Sequence, residues 1–260
     1  MTSPLAAPPQ FTLPPGYRLA EYDCIDSTNA EALRCAAAAE LGGLWVLAGE
    51  QLGGRGRAGR SWVSPPGNLY ASLLLRPDCS ATAALGLSLL TAVAVRQAIA
   101  DSCGASMSKS ALGLKWPNDI LLNGAKVGGI LLESTGTAGR AEHAVVIGVG
   151  LNVGQHPDGL ERSVAHLSSA APALRVLELF EGLARTIDHW LGIWRNGQNF
   201  AAIRAEWLAH AHGVGASVSV RVNGMVVEGV FIGLDDSGAL RLGDRFDGPE
   251  RRVTAGDVFF

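Results

Sequence analysis

Residues Gly53 to Trp62 read GGRGRAGRSW, with three arginines and four glycines. No acidic residue lies between Glu50 and Asp78, while four arginines do. The whole chain carries a formal net charge of −3, so this is a local excess of positive charge. Like charges this close repel unless an anion comes between them. Glycines let a backbone take positive φ and approach a ligand closely. The stretch reads as a loop that closes over a phosphate and orders as it does so. The plain alternative is a solvated, flexible turn. It lacks the GK[ST] ending of a P-loop, and Ser61-Trp62 and Pro65-Pro66-Gly67 follow it where a dinucleotide fold would start a helix. An arginine–glycine nucleic-acid segment is a third reading, which the acidic balance of the chain disfavours.

A second constellation is KWPNDI, 115–120. Pro117 fixes its own φ and biases Trp116 toward extended backbone. Lys115, Asn118 and Asp119 crowd together there, as a turn or as a polar site. Lys126 then opens the otherwise apolar KVGGILLE, 126–133. An ammonium in that setting needs a carboxylate or phosphate partner. Gly128 and Gly129 leave room for a flat ligand or mark a bulge. The 21 basic residues are 18 arginines and the lysines Lys109, Lys115 and Lys126. Where so arginine-rich a chain keeps lysine, a compact point charge can matter more than a planar fork.

These residues need elements to hold them. YRLAEYDCID reads as a strand. STNAEALRCAAAA reads as a helix, with Thr28 and Glu31 fitting a capping box. LWVLAGEQ, 44–51, is a buried strand arriving at the arginine loop, and NLYASLLLR, 68–76, is another. Residues 82–101 are helical and buried. Asn123-Gly124 between two apolar runs marks a hairpin. Residues 141–153 form a further strand, paired across GTAGR and free to pair with a second copy, so that monomer and homodimer both stay open. Val176, Phe180, Leu183, Ile187, Trp190 and Trp194 recur at helical steps within 174–195, and a shorter helix covers 200–210. From Gly213 on, apolar and polar residues alternate between turns such as Asn223-Gly224 and Ser237-Gly238, the texture of a small β-barrel.

Length and composition set outer bounds. With 260 residues, 48% of them hydrophobic, the chain can form one large domain, or a medium one and a small one. The first sixteen residues contain five prolines and no basic region, so they read as a loose arm and not as an export signal. No run reaches eighteen apolar residues, so no membrane span is expected. Cys24, Cys35, Cys79 and Cys103 lack metal-ligand spacing and fit reduced thiols in a cytoplasm. His143, His156 and His166 show no ligand spacing beside a carboxylate. No metal site is expected.

Ser27-Thr28-Asn29, Glu50-Gln51, GRGRAGRSW, KWPND, KVGGILLE and GVGLNV occur in this order. In order and spacing they resemble biotin protein ligases from about residue 22 to 153, and the AGDVF ending is similar too. The resemblance is to the monofunctional branch, without a DNA-binding domain, since only sixteen residues precede the catalytic part. It implies an α+β fold: a mixed β-sheet backed by helices, like class II aminoacyl-tRNA synthetases, over 17–212, then an SH3-like barrel over 213–260, with 1–16 as a flexible arm. It implies that ATP and biotin give biotinyl-5′-AMP, and that biotin then passes to a lysine of a biotin carboxyl carrier protein domain. A carboxylate must attack a phosphate, two anions that repel by about 4 kcal/mol per charge pair near 4 Å at an effective dielectric of about 20. Several fixed cations and Mg²⁺ carried on the phosphates answer that need.

Carried over, Ser27, Thr28, Asn29 and Gln51 contact the biotin ring, with capping as a second role for the first two. Arg55, Gly56 and Arg57 line the biotin carboxylate and the phosphates, and Gly128 and Gly129 make room for biotin. Arg57, Arg60, Trp62, Asn118 and Asn152 bind ATP. Lys126 stands between carboxylate and α-phosphate and touches both ligands. Lys126, Arg57 and Asp119 are the catalytic candidates, Asp119 by orienting the carrier amine or taking its proton. Where this family commonly has a bulkier or polar residue, this chain has Ala58. A lipoyl-transferring ligase is the enzymatic rival and a nucleic-acid-binding module the non-enzymatic one.

Overall fold

The computed structural model describes residues 12–104, 107–108, 111–136, 143–159, 163–222, 224–244 and 249–260. Lys109, most of the GTAGR turn, Asn223 and most of the N-terminal arm lie outside them. Seven strands form one mixed sheet: β1 (Arg18–Ile25), β2 (Leu44–Gln51), β3 (Leu69–Leu75), β4 (Leu112–Lys115), β5 (Asp119–Leu122), β6 (Ala125–Thr135) and β7 (Ala144–Leu151). Their order is β1-β2-β3-β7-β6-β5-β4, with β1 parallel to β2 and the other pairs antiparallel.

Period-two alternation divides this sheet into a core face and a site face. Leu69, Ala71 and Leu73 of β3 and Val145, Ile147, Val149 and Leu151 of β7 enter the main core with α3 (Leu87–Cys103), α4 (Val176–Trp194) and α5 (Phe200–Ala209). The opposite face packs on α1 (Thr28–Ala37), where Ala32 and Ala36 meet Val46, Leu74 and Val146. On that face the register sets Ser72 beside Gly148 and Leu131, and Tyr70 beside Gly150, Gly129 and Asp119. Three glycines in neighbouring strands thus leave a trough beside the first turn of α1.

The expected helix over 82–101 is divided at Gly86 into α2 (Ala81–Leu85) and α3. The Phe200 ring lies so near that a Cβ on Gly86 would sit 2.9 Å from it. Thr82–Cys103 is long and apolar enough, by length and composition, to cross a membrane, but 78% of the window is buried inside the fold. Its apolarity is used by the core, consistent with Leu87, Leu90 and Ile99 being fully covered. On α4, Phe180, Leu183, Ile187 and Trp194 are buried, as their helical spacing predicts.

Two other expectations change. Helix α1 is capped by Ser27, one residue before the predicted capping box. Ser27 is extended, and its hydroxyl oxygen accepts from the Ala30 amide. Thr28 and Glu31 are engaged elsewhere, by Gln51 and by Arg34. Strand β7 is bonded to β3 on one side and β6 on the other. It has no free edge, so it cannot pair across a two-fold axis.

After α5, five strands form a second, antiparallel sheet in the order β11-β10-β9-β8-β12: β8 (Ser217–Val222), β9 (Met225–Leu234), β10 (Leu240–Gly243), β11 (Arg251–Val253) and β12 (Asp257–Phe259). It packs onto the first. Trp116 Nε1 donates to the Gly238 carbonyl at 3.1 Å. The Lys115 ammonium lies 5.8 and 5.7 Å from the ring centres of Phe259 and Phe260. The Trp116–Pro117 peptide is cis.

Candidate active site

The arginine loop folds as a tight hairpin. Trp62 N donates to Gly54 O at 2.9 Å and Gly56 N to Arg60 O at 2.7 Å, with Arg55 bridged to Ser61. The reversal falls at Ala58 and Gly59, both at positive φ (55° and 72°). Glycine takes that conformation readily, whereas alanine pays a modest steric cost. Gln51 ties the far end of the loop to α1. Its Oε1 accepts from the Thr28 amide at 2.8 Å and the Thr28 hydroxyl at 3.1 Å. Its Nε2 donates to Ser64 Oγ at 2.9 Å, and Ser64 donates to the Trp62 carbonyl at 2.9 Å.

Lys126 reaches the site because β6 is irregular. Asp119 pairs with Gly129 and Leu121 with Lys126, so one extra residue is accommodated in β6 between them. A bulge of this kind inverts side-chain alternation. It turns Lys126 onto the same face as Gly129 and Asp119. Lys126 forms a short ion pair with Asp119, the two side chains being 12% and 17% exposed. Its ammonium also lies 5.4 Å from the Trp62 ring centre.

The positive excess seen along the chain is compensated in space. Arg55 faces Glu133 at 3.4 Å. Arg60 Nη2 donates to Asp257 Oδ1 at 3.0 Å, and Arg57 Nη1 lies 3.5 Å from the same oxygen. Arg57 also donates to Gly256 O at 3.2 Å and to Asn118 Oδ1 at 3.4 Å. Burial pulls the Arg57 guanidinium below its ordinary pKa, while Asp257 opposes that shift. Four cations therefore meet three carboxylates, from β5, β6 and β12. The loop is therefore not a bare positive cradle, since each of these cations already faces a carboxylate.

The resulting cleft has a cavity of about 150 Å³ and brings together nearly all the predicted site residues. Ser27, Thr28, Asn29 and Gln51 stand at one end. Arg55, Gly56, Arg57, Arg60 and Trp62 come from the loop, and Asn118, Asp119, Lys126 and Gly129 from the strands. Two predicted residues stand apart. Gly128 does not line the cleft: a Cβ there would strike the Leu151 side chain and lie 3.0 Å from the Gly150 carbonyl, so its small size serves strand packing. Asn152 lines an adjoining recess of about 40 Å³, reached past Trp62 and Lys126 and walled by Val63, Pro157 and Val164. Asn152 is held there by donation to the Ala165 carbonyl at 3.1 Å.

Several residues were not singled out from sequence. Ser72, fully buried, has its hydroxyl 2.6 Å from Asn29 Oδ1. Gly148 is required by Asn29, since a Cβ there would fall on the Asn29 amide. Gly150 is required by Trp62, whose Nε1 would lie 2.7 Å from a Cβ. Both glycines sit in the GVGLNV block. Glu133 ends the KVGGILLE block and Asp257 lies in AGDVF, but nothing local marks either as a partner of the arginines. Among the described residues no cluster of three or more His, Cys, Asp or Glu is arranged to hold a metal.

Residues 22–152 match the Biotin/lipoate A/B protein ligase family, and residues 214–260 match the Biotin protein ligase C terminal domain. The chain belongs to the biotin/lipoate A/B protein ligase family. It is 42% identical over 243 residues to the biotin–[acetyl-CoA-carboxylase] ligase of Paracoccus denitrificans, spanning 90% of this chain and 97% of that one. It is 34% identical over 239 residues to the enzyme of the same name from Mycobacterium tuberculosis, with 89% and 85% covered. In fold it is similar to the biotin protein ligase of Aquifex aeolicus solved with biotin and ATP, with a TM-score of 0.76, 23% identity, and 93% and 97% of the two chains covered. The ligase-family fold joins a mixed α/β sheet to a C-terminal antiparallel sheet, the arrangement found here.

Proposed function

We propose that this chain is a biotin protein ligase, activating biotin with ATP and passing it to a lysine of a biotin carboxyl carrier protein domain. The observation that carries this reading is the meeting of Lys126 and the arginine hairpin beside the hydrogen-bonding set on α1. A cyclic urea offers N–H donors and a carbonyl acceptor. Ser27 Oγ accepts from Ala30, which leaves its hydrogen for a ligand carbonyl, while Asn29 Oδ1 can accept a ligand N–H. The dithiolane of lipoate offers neither group, which favours biotin over the lipoyl rival.

In the first step a biotin carboxylate oxygen attacks the α-phosphorus, and pyrophosphate leaves with the electrons of the broken P–O bond. Lys126 stabilises charge on the oxygens that gather there, and Arg55 and Arg57 draw the two anions together. As the anions arrive, Lys126 turns from Asp119 toward them. Asp119 is then available to the carrier amine, which attacks the acyl carbon as AMP departs with its phosphate. Arg57, Arg60, Asn118 and Trp62 retain the nucleotide portion, and Asn152 meets the base in the adjoining recess. Mg²⁺ carried on the triphosphate would neutralise phosphate charge, the cleft carboxylates Asp119, Glu133 and Asp257 already holding basic partners.

We read residues 17–212 as the catalytic domain and 213–260 as an SH3-like barrel. Four free thiols accord with a reducing cytoplasm. The test is incubation with biotin, ATP, Mg²⁺ and a carrier domain, followed by intact-mass measurement. Biotin on one lysine, abolished when that lysine is replaced, supports the reading. A carrier left unmodified with biotin, together with lipoyl-adenylate formed when lipoate takes the place of biotin, would replace it with the lipoyl one.

A further inference from the structure

Asn29 is 4% exposed, and most of its amide valences are already taken. Its Nδ2 donates to Glu133 Oε2 at 2.8 Å and to the Leu131 carbonyl at 3.4 Å. Its Oδ1 accepts from Ser72 at 2.6 Å, and the missing Cβ of Gly148 gives that oxygen its space. An ionised carboxylate can only accept. A reversed Asn29 amide would set its oxygen against two acceptors, the Glu133 oxygen and the Leu131 carbonyl, whereas the Ser72 hydroxyl, also 2.8 Å from Thr28 Oγ1, can serve either end. Glu133 therefore decides which end of the amide faces the cleft. Its other oxygen faces the Arg55 guanidinium at 3.4 Å, which balances the charge of Glu133.

We propose that Glu133 is a positioning residue that sets hydrogen-bond polarity at the ring end of the cleft. By holding the Asn29 N–H groups away, it leaves the site one acceptor lone pair to show a ligand. The site then takes a ring bearing N–H and loses affinity when that amide is free to turn. This rests on the biotin reading above. It concerns a residue that touches neither the reacting carboxylate nor ATP.

The experiment is steady-state pyrophosphate release by wild type, Glu133→Ala and Glu133→Gln, with KM for biotin, KM for ATP, kcat and Tm measured for each. Glu133→Ala should raise the biotin KM about tenfold, the worth of one charge-assisted hydrogen bond, with kcat and the ATP KM within about twofold. Glu133→Gln still offers an oxygen to the same N–H and should hold the biotin KM within about threefold. A biotin KM unchanged in Glu133→Ala overturns the proposal. So does a Glu133→Gln as impaired as the alanine, or a loss spread equally over kcat and both KM values. Should Glu133→Ala not fold, Glu133→Leu fills the same space without an acceptor and must raise the biotin KM at least about fivefold; a smaller rise overturns the proposal equally. A wild type that releases no pyrophosphate with biotin would instead sink the functional reading, so the two failures are distinct.

Discussion

Replacing Lys126 with alanine separates two roles that the sequence alone does not distinguish. From sequence, the residue reads as a catalytic cation. In the structure it is also the partner of Asp119, with the two side chains 12% and 17% exposed. Breaking a fully buried pair costs about 3–5 kcal/mol, and an exposed one about 0–1. This mostly covered pair falls between, at about 2 kcal/mol. For a chain of this length that corresponds to a fall in Tm of about 4–8 °C. The cost arises from the unpaired Asp119 carboxylate, so Lys126→Met combined with Asp119→Leu should recover Tm to within about 2 °C of wild type. Activity should not recover. Losing a preorganised charge at the reacting oxygens lowers kcat for pyrophosphate release by about 10²–10³-fold, in the single and double variants alike. Calorimetry and a coupled pyrophosphate assay read both quantities. A Lys126→Ala enzyme within tenfold of wild-type kcat would refute the catalytic role. An unchanged Tm would refute the energetic one.

Other predictions follow from the geometry around that pair. Arg57→Gly should leave Tm within about 2 °C but release more free biotinyl-adenylate into the medium, since Arg57 holds the loop through Gly256 and Asn118; chromatography showing no increase contradicts the retention role. Gly148→Ala places a Cβ on the Asn29 amide, so the biotin KM should rise about tenfold and stability fall by about 1–3 kcal/mol, both measurable on one preparation. The Asp26 carboxyl, hydrogen-bonded by Arg34, is held down to about 2 from an ordinary 3.8. A depressed carboxylate pKa stabilises the fold above the unfolded value and loses that contribution as pH falls through the folded one. The urea midpoint should therefore drop slightly more between pH 4 and pH 2 in wild type than in Asp26→Asn, and identical profiles would contradict the pairing.

Local sequence makes the site legible where the chemistry is local. The loop GGRGRAGRSW supplies its own glycines for the turn, and Lys126 needed an anionic partner that proved to be Asp119, seven residues away. What was missed depends on residues far apart in sequence. Asp257 answers Arg57 and Arg60 across nearly two hundred residues, so the arginine excess looked uncompensated along the chain. Ser72 is a single serine in a mostly apolar strand, and it has meaning only once the register sets it opposite Gly148 and beneath α1. The face that Lys126 occupies is decided by a bulge that two glycines only hinted at. Gly128 and Gly129 looked equivalent, yet alternation sends one into the core and the other into the cleft. Pairing of the strand within 141–153 across a two-fold axis, open from sequence, is excluded because β3 and β6 occupy both its edges.

In the proposed reaction one cleft brings the carboxylate of biotin and the α-phosphate of ATP to a shared lysine. Its most direct test is pyrophosphate release by the purified chain with ATP, Mg²⁺ and either biotin or lipoate, followed by mass spectrometry of the small-molecule product. The expected result is a burst that requires biotin, equals the enzyme concentration without carrier, and yields biotinyl-5′-AMP. A burst that lipoate supports equally well, or none with biotin, would contradict it.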